Sequence, residues 1–261
     1  MYTQRYCALI DILGFTARVL ETSNDSAETT KIWSLLVGAA TAGRFVVDAS
    51  RKEYKFHAFS DTVVLSDEVS QGGLVAILEA CVRLAHSFLA SGFLCRGAVT
   101  KGPLNHDEKI LFGQAMIRAH ELESRVAKVP RILLDDGVVG DIYSRADSDR
   151  KLGAIANHHL FWSDDGLSDL NTFARISDAV TFLSLDKPMF MTDTFRRDRE
   201  PTAEEDENFR RNSAASIGAL LWSKRSSASD PRHLEKVAWL INRFNCTVPK
   251  SRYDRLYIPT R

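Results

Sequence analysis

The order of the apolar segments constrains the fold of this chain more than any other feature of its sequence. Six segments open the chain: a strand at 5–13, a helix at 31–49, two strands at 54–59 and 62–66, a helix at 74–90 and a strand at 93–100. Ser60 and Asp61 separate the third segment from the fourth, as in a tight hairpin. The hairpin interrupts the alternation that a doubly wound parallel sheet requires. The order therefore predicts an α+β fold, a ferredoxin-like (split βαβ) sheet with helices on one face.

The rest of the chain divides at about residue 190. Before that point we expect a loop at 101–108, a strand at 110–112 and a helix at 114–128. A strand at 131–134, a turn at 135–137 and a last strand at 178–185 follow. A run of charges of both signs follows at 195–211, and two helices are expected at 203–226 and 231–244. We therefore predict a domain at 1–190 and a C-terminal helical extension at 191–261.

Charge and hydropathy exclude several classes of protein. The chain has 261 residues with 34 basic and 34 acidic side chains, so its formal net charge is zero and bulk charge does not attract nucleic acid. Its apolar runs are shorter than the roughly 18 residues of a membrane span. Asp11 interrupts the apolar N-terminal stretch, which a signal peptide does not tolerate. The four cysteines form no CxxC pair. These features predict a cytoplasmic protein with reduced thiols and with neither nucleic acid nor membrane as a partner.

Two aspartates stand in apolar surroundings. Asp11 lies within ALIDILGF, and Asp61 lies at the tip of the hairpin. A charge inside a strand is unfavourable unless it is paired or bound to a metal, and in a split βαβ sheet the first strand lies beside the hairpin. Converging carboxylates without His or Cys suit Mg²⁺ or Mn²⁺, and two such ions serve phosphoryl transfer. The plainer alternative is that Asp11 ends a strand and Asp61 is a turn residue.

Three segments resemble class III nucleotidyl cyclase domains: ALIDILGFT, KFHAFSDTVVLS and RGAVTKGPL…FGQAMIRAHELES. They occur in the family's order and extend over about residues 5–190. The resemblance implies a homodimer with active sites at the interface and two Mn²⁺ or Mg²⁺ ions per site. It implies that Asp11, Asp61 and the backbone carbonyl of Ile12 bind the metals. Phe15 and its neighbours then fall on the turn that approaches the triphosphate.

The departures from the family pattern concern phosphate and base recognition. Purine cyclases carry an Asn and an Arg four residues apart that stabilise the transition state, and this chain has Ile117 and Glu121 there. We favour Arg96 as the replacement because its strand is expected beside the first. The other candidates are Lys101, Arg118 and Arg125. Two nucleotide-binding positions that select the base in purine cyclases hold His57 and Ile110 here, and these match neither the adenine nor the guanine pattern.

One branch of the family shares the sequence motifs RGAVTKG…FGQAM…ELE…PRI and lacks the Asn/Arg pair. This branch is the pyrimidine cyclases of the Pycsar anti-phage defence systems, and the chain resembles it more than any purine cyclase. The resemblance implies conversion of UTP or CTP to the 3′,5′-cyclic monophosphate and pyrophosphate, with the product acting on a separate effector protein. His57 could accommodate either base by changing tautomer. Two alternatives stay open: a catalytically inactive, cyclase-like nucleotide sensor, and a divergent purine cyclase.

Overall fold

The computed structural model of the chain describes residues 2–22, 24–45, 52–176, 202–248 and 256–259. Its strands are β1 Thr3–Leu13, β2 Lys55–Phe59, β3 Thr62–Glu68, β4 Leu94–His106, β5 Leu111–Gly113, β6 Ile132–Leu134, β7 Leu160–Trp162 and β8 Ser168–Leu170. Its α-helices are α1 Phe15–Glu21, α2 Ser26–Phe45, α3 Gln71–Ala90, α4 Gln114–Glu121, α5 Asp136–Arg145, α6 Arg150–His158, α7 Ala203–Ser227 and α8 Pro231–Thr247. A π-helical turn, Leu122–Val126, continues α4, and a 3₁₀ turn spans Ala174–Ile176.

The first four strands form a ferredoxin-like sheet. They lie in the order β2-β3-β1-β4, and each neighbouring pair is antiparallel. Strand β1 is therefore central, between the hairpin strand β3 and the strand β4 that follows α3. This is the split βαβ arrangement that the segment order predicts. Beyond β4 the sheet continues with β6, β8 and β7, while β5 folds back onto the far end of β4.

The two faces of the sheet are covered by different helices. In β1, Tyr6, Ile10 and their even-numbered neighbours pack with α3 in the main core, whereas Cys7 and Leu9 pack with α4. We call these the α3 face and the α4 face. The expected single layer of helices is present for the ferredoxin-like core, since α2 and α3 share the α3 face. Helix α4, which follows that core in the chain, adds a layer on the other face.

Helix α3 is the buried centre of the molecule. Its residues from Gly73 to Leu89 are all buried, most of them apolar, with Glu79, Arg83 and His86 as buried exceptions. Among the described residues it is the one helix long and apolar enough to cross a membrane, and 94% of that stretch is covered by the rest of the protein. It is therefore a core helix.

The C-terminal helices pack onto one end of the sheet. Helices α7 and α8 match the two helices expected from the sequence, and a Thr202 capping box and Pro231 begin them. Their apolar side chains form a second core with Leu89 and Leu94, with Leu13 at its border. The expected strand at 178–185 and the boundary between 190 and 191 lie outside the described residues.

Several segments differ from the sequence prediction. The stretch expected as a loop after residue 100 continues as β4 to His106, because β4 pairs with β1 along its length from Leu94 to Leu104. The expected turn at 135–137 is the start of α5, whose Val138 and Ile142 are buried against the sheet. Helices α1 and α6 and strands β7 and β8 were not predicted. They are short, and their stability comes from packing rather than from a local pattern.

Two glycines provide a test of the close contact between β1 and β4. A Cβ at Gly97 would lie 2.4 Å from the Leu9 carbonyl oxygen, whereas a Cβ at Gly140 in α5 meets nothing within 4 Å. We expect Gly97→Ala to lower the free energy of unfolding by about 2 kcal/mol through overpacking. Gly140→Ala should raise it by about 0.5–1 kcal/mol, since alanine favours the helix. Urea denaturation of both variants measures the difference, and equal stabilities would contradict the close approach of β4 to β1 at Gly97.

Candidate functional site

Asp11 lies in β1, and Asp61 lies in the turn just before the neighbouring strand β3, at one end of the sheet. Asp11 is opposite Thr62 in the β1–β3 register, and the Ile12 N–H donates a 2.9 Å hydrogen bond to the Asp61 carbonyl oxygen. Burial raises the pKa of Asp11, and the charge of Asp61 raises it further, while Arg96 opposes both effects. The backbones of the two aspartates are therefore adjacent, as the split βαβ order predicts.

A tight turn places Asp61 at this position. Ser60 and Asp61 connect β2 to β3, and Ser60 has a φ of 55°, in the left-handed region that such hairpin turns require. A serine in that region is strained by about 1 kcal/mol. The turn brings the Asp61 backbone to β1, which the hydrogen bond from Ile12 then fixes.

Arg96 lies in the site but is held by two carboxylates. It is directly opposite Asp11 in the β1–β4 register, and its Nε is 3.5 Å from Asp11 Oδ2 and 2.6 Å from Glu123 Oε1. Glu123, in the π-helical turn after α4, is only 4% exposed. Burial raises the pKa of Glu123, with Arg96 opposing it and the Asp11 charge adding to it. The site thus contains a third carboxylate.

Glu123 was not identified from the sequence. The only signal was an acidic residue between Leu122 and Val126 in a segment that otherwise resembles an exposed helix. It lies in a π-helical turn and is buried against Arg96 of β4. This burial depends on tertiary packing, which the local sequence does not show.

Two other candidate cations are not at the site. Lys101 faces the α3 side of the sheet, opposite to Asp11, and its Nζ is 2.7 Å from Asp141 Oδ2 in α5. Arg118 is half-exposed on α4 and lies 3.0 Å from Asp135. The structure therefore does not bring Lys101 to the phosphate position expected from the resemblance. Successive residues of a strand face opposite sides of the sheet, and β4 continues as a strand through Lys101. Lys101 comes five residues after Arg96, so the two side chains lie on opposite faces.

Phe15 and Ile12 contribute their side chains to the core. Ile12 is 2% exposed, and the Phe15 ring packs with Phe93 at a centroid distance of 6.3 Å. Contact of either residue with a metal or a triphosphate is thus limited to backbone atoms. Gly14, with a φ of 75°, provides the turn between β1 and α1.

His57 ends a chain of buried polar groups on the same face as Asp11. Arg5 Nε donates to Ser66 Oγ at 3.0 Å, Ser66 Oγ lies 2.8 Å from His106 Nδ1, and His106 Nε2 lies 3.3 Å from His57 Nδ1. Ser66 is fully buried. Within the described ranges, His106 is the acceptor available to its hydroxyl hydrogen.

Arg5 and the buried Ser66 hydroxyl together set the donor and acceptor roles in this series of hydrogen bonds. Arginine only donates, so Ser66 accepts from Arg5, and assigning its hydroxyl hydrogen to His106 Nδ1 satisfies this buried group. His106 then carries its proton on Nε2 and donates to His57 Nδ1. His57 is therefore left with an Nε2–H donor for any ligand. Ile110 lies in the same region, in the β4–β5 turn that starts at His106, and its side chain is exposed.

The pKa of His106 predicts a dependence of stability on pH. Burial, followed by the charges of His57, Arg5 and Lys55, lowers the pKa of His106 to about 4. An unfolded histidine binds a proton near pH ~6.5. The resulting stabilisation is present above about pH 6.5 and is lost as the pH falls towards 4, by about 3 kcal/mol. Urea denaturation at pH 7 and pH 4.5 should show a smaller loss for His106→Gln than for the wild type. Equal losses would contradict a neutral, buried His106.

The donor set at Asp11 and Asp61 fits a magnesium-type ion. Among the described residues, no three His, Cys, Asp or Glu side chains converge as a metal site. Mg²⁺ commonly binds to one or two carboxylates and completes its shell with water and substrate phosphates. The like charges of Asp11 and Asp61, which raise the pKa of Asp11, also favour a cation between them.

Comparisons with known proteins do not show a family for this chain. No protein-family model matches the sequence, and no curated protein does. The solved structure of a class III adenylyl cyclase-like ATP-binding protein from Pseudomonas aeruginosa matches with 14% identity and a TM-score of 0.40. The match covers 54% of this chain and 35% of that protein, about a third of its length. The chain is therefore assigned to the ferredoxin-like α+β class on its own strand order and register.

Proposed function

We propose that the protein is a nucleotidyl cyclase that converts UTP to 3′,5′-cyclic UMP and pyrophosphate. The observation that supports this most is the position of Asp11 and Asp61 at adjacent strand ends of a ferredoxin-like sheet. There the Ile12 N–H donates to the Asp61 carbonyl oxygen. This is the arrangement implied by the resemblance to class III cyclases. The reaction forms the bond between the ribose O3′ and the α-phosphorus and breaks the bond to the β-phosphate.

Each residue of the site has a proposed part in this reaction. Asp11, Asp61 and the Ile12 carbonyl would hold two Mn²⁺ or Mg²⁺ ions, which would supply charge neutralisation and a lower pKa for the 3′-hydroxyl. Glu123 fixes the Arg96 guanidinium beside Asp11. Arg96 is thereby held where it would donate to the phosphate oxygens if Asp11 were bound to a metal ion instead.

The direction of the histidine chain favours UTP over CTP. The uracil edge presents the O4 acceptor, whereas cytosine presents an N4 amino donor at the same position. The Nε2–H of His57 can donate to O4, but it opposes an amino group. If His57 reads this edge, as the resemblance implies, uracil is preferred, and cytosine would require reversal of the Ser66 and His106 hydrogen bonds.

Exposed apolar side chains on the α4 face support a homodimer. Phe59, which shares this face with Asp11 through the β1–β3–β2 register, is 82% exposed. Ile117 on the outer side of α4 is 62% exposed. A second copy covering these side chains would place an interface beside the carboxylates. By the same resemblance, the cyclic product would act on a separate effector protein in the cytoplasm during anti-phage defence.

Incubation with each of the four nucleoside triphosphates and Mn²⁺, followed by chromatography, tests the proposal. We expect cyclic UMP as the dominant product, with cyclic CMP at least tenfold lower. Cyclic AMP or cyclic GMP as the main product would identify a divergent purine cyclase and overturn the base assignment. Absence of any product would support the second candidate, an inactive nucleotide sensor. That candidate is favoured by Ile117 and Glu121 at the family's Asn and Arg positions and by the existing partners of Arg96.

A further inference from the structure

A large cavity lies between the sheet and the C-terminal helices. Its volume is about 530 Å³, and its walls come from the β1–α1 turn, the start of β4, the end of α7 and the first turns of α8. Leu13 and Gly14 form the part of the wall nearest the carboxylate site. Leu13 follows Asp11 by two residues in the same strand, so their Cα atoms are about 7 Å apart.

The cavity is lined by more cations than anions. Arg18, Lys224, Arg232 and Lys236 carry positive charge, whereas the acidic groups are Glu21 and Asp230: four against two, with His233 neutral. Arg18 is paired with Glu28 outside the lining, and Asp230 accepts from the backbone of its own helix.

Three basic side chains of α8 have no partner within the part of the chain that the structure describes. Arg232, His233 and Lys236 line the cavity, and neither an ion pair nor a side-chain hydrogen bond is formed by any of them there. Burial lowers the pKa of His233, and the nearby charges of Lys224 and Lys236 lower it further. Burial, followed by the charge of Arg18, likewise lowers the pKa of Lys224. Several basic side chains thus line the same cavity, and a bound anion would stabilise their positive charges.

Three of the four cations considered from the sequence are already paired or lie elsewhere. Arg96 is held by Glu123, Lys101 lies on the other face of the sheet, and Arg118 is paired with Asp135. A nucleotide with its α-phosphate at Asp11 has two more phosphates to place. The cavity that begins at Leu13 adjoins that position and supplies positive charge.

We propose that this cavity binds the β- and γ-phosphates of the nucleotide, with Arg232 and Lys236 of the C-terminal extension as the phosphate-binding cations. The inference rests on the proposed function for the identity of the nucleotide. It gives the C-terminal helices a role in substrate binding in addition to packing. It also accounts for a charge-neutral chain binding a highly charged substrate, since the cations required are few and local.

Binding of inorganic tripolyphosphate to the full chain, measured by calorimetry without divalent metal, tests the proposal. We expect Arg232→Ala combined with Lys236→Ala to weaken binding at least tenfold. The control combines Lys109→Ala with Arg150→Ala, which removes the same charge from exposed positions elsewhere, and should bind within twofold of the wild type. Failure of the wild type to bind, or equal weakening in both double variants, would overturn the proposal.

The same measurement in an Asp61→Asn background separates this proposal from the proposed function. Tripolyphosphate binding needs no turnover, so its dependence on Arg232 and Lys236 should persist in that background. If the wild type forms no cyclic nucleotide but the dependence persists, the phosphate site stands and the cyclase assignment fails. If cyclic UMP forms and its KM for UTP is unchanged in the Arg232/Lys236 double variant, the cyclase assignment stands and the phosphate site fails.

Discussion

Asp61→Asn is expected to reduce the turnover of UTP by at least about 10³-fold, equivalent to about 4 kcal/mol of transition-state stabilisation. Asparagine keeps the size and turn preference of aspartate but removes the charge that a divalent ion requires. The backbone hydrogen bond from Ile12 to residue 61 does not depend on the side chain, so the hairpin should remain in place. The measurement is the rate of cyclic UMP formation with Mn²⁺.

A matched control excludes a general effect of removing one carboxylate. Asp164 is exposed in the loop between β7 and β8, away from the site, and Asp164→Asn should retain activity within twofold. Circular dichroism and thermal unfolding should show both variants folded. Turnover by Asp61→Asn at a rate near that of the wild type would exclude the metal role of this residue.

Arg96→Ala is expected to lower the free energy of unfolding by about 4 kcal/mol, because it leaves Glu123 buried without its nearest positive charge. The Glu123 carboxylate is 2.6 Å from the Arg96 Nε and has only 5% of its side chain exposed. Asp11 then adds a second negative charge nearby, and Arg96 no longer lies between the two. Urea denaturation measures the loss.

A second substitution separates charge from packing. Combining Arg96→Ala with Glu123→Gln removes the uncompensated charge, and at least half of the lost stability should return. Non-additivity of this size is typical of residues in direct contact. A loss below about 1 kcal/mol for Arg96→Ala alone would show that Glu123 is better solvated than its burial indicates, and would remove it from the site.

The core of the fold is predictable because its signals are local. The short apolar run at 5–13, the turn residues Ser60 and Asp61, and the apolar length of α3 each mark one element, and together they allow few strand orders. The position of the aspartate pair follows from that order. The same reasoning places Arg96 beside Asp11, since consecutive antiparallel strands pair residue by residue.

The remaining features depend on register and tertiary packing. Lys101 is excluded from the site by the parity of β4, which is visible only once the strand is known to continue beyond residue 100. The histidine chain joins Arg5, His57, Ser66 and His106, which come from four different strands far apart in the sequence. The phosphate-binding cations proposed in α8 lie near the opposite end of the chain from Asp11, beyond any motif spacing.

The most direct test of the cyclase assignment is ³¹P NMR of UTP incubated with the full chain and Mg²⁺, a diamagnetic ion that leaves the phosphorus signals sharp. We expect 3′,5′-cyclic UMP and pyrophosphate to appear in equal amounts as UTP disappears, and neither to form with Asp61→Asn. Release of orthophosphate with UDP, or UTP that stays intact under conditions where the protein is folded, would contradict the assignment.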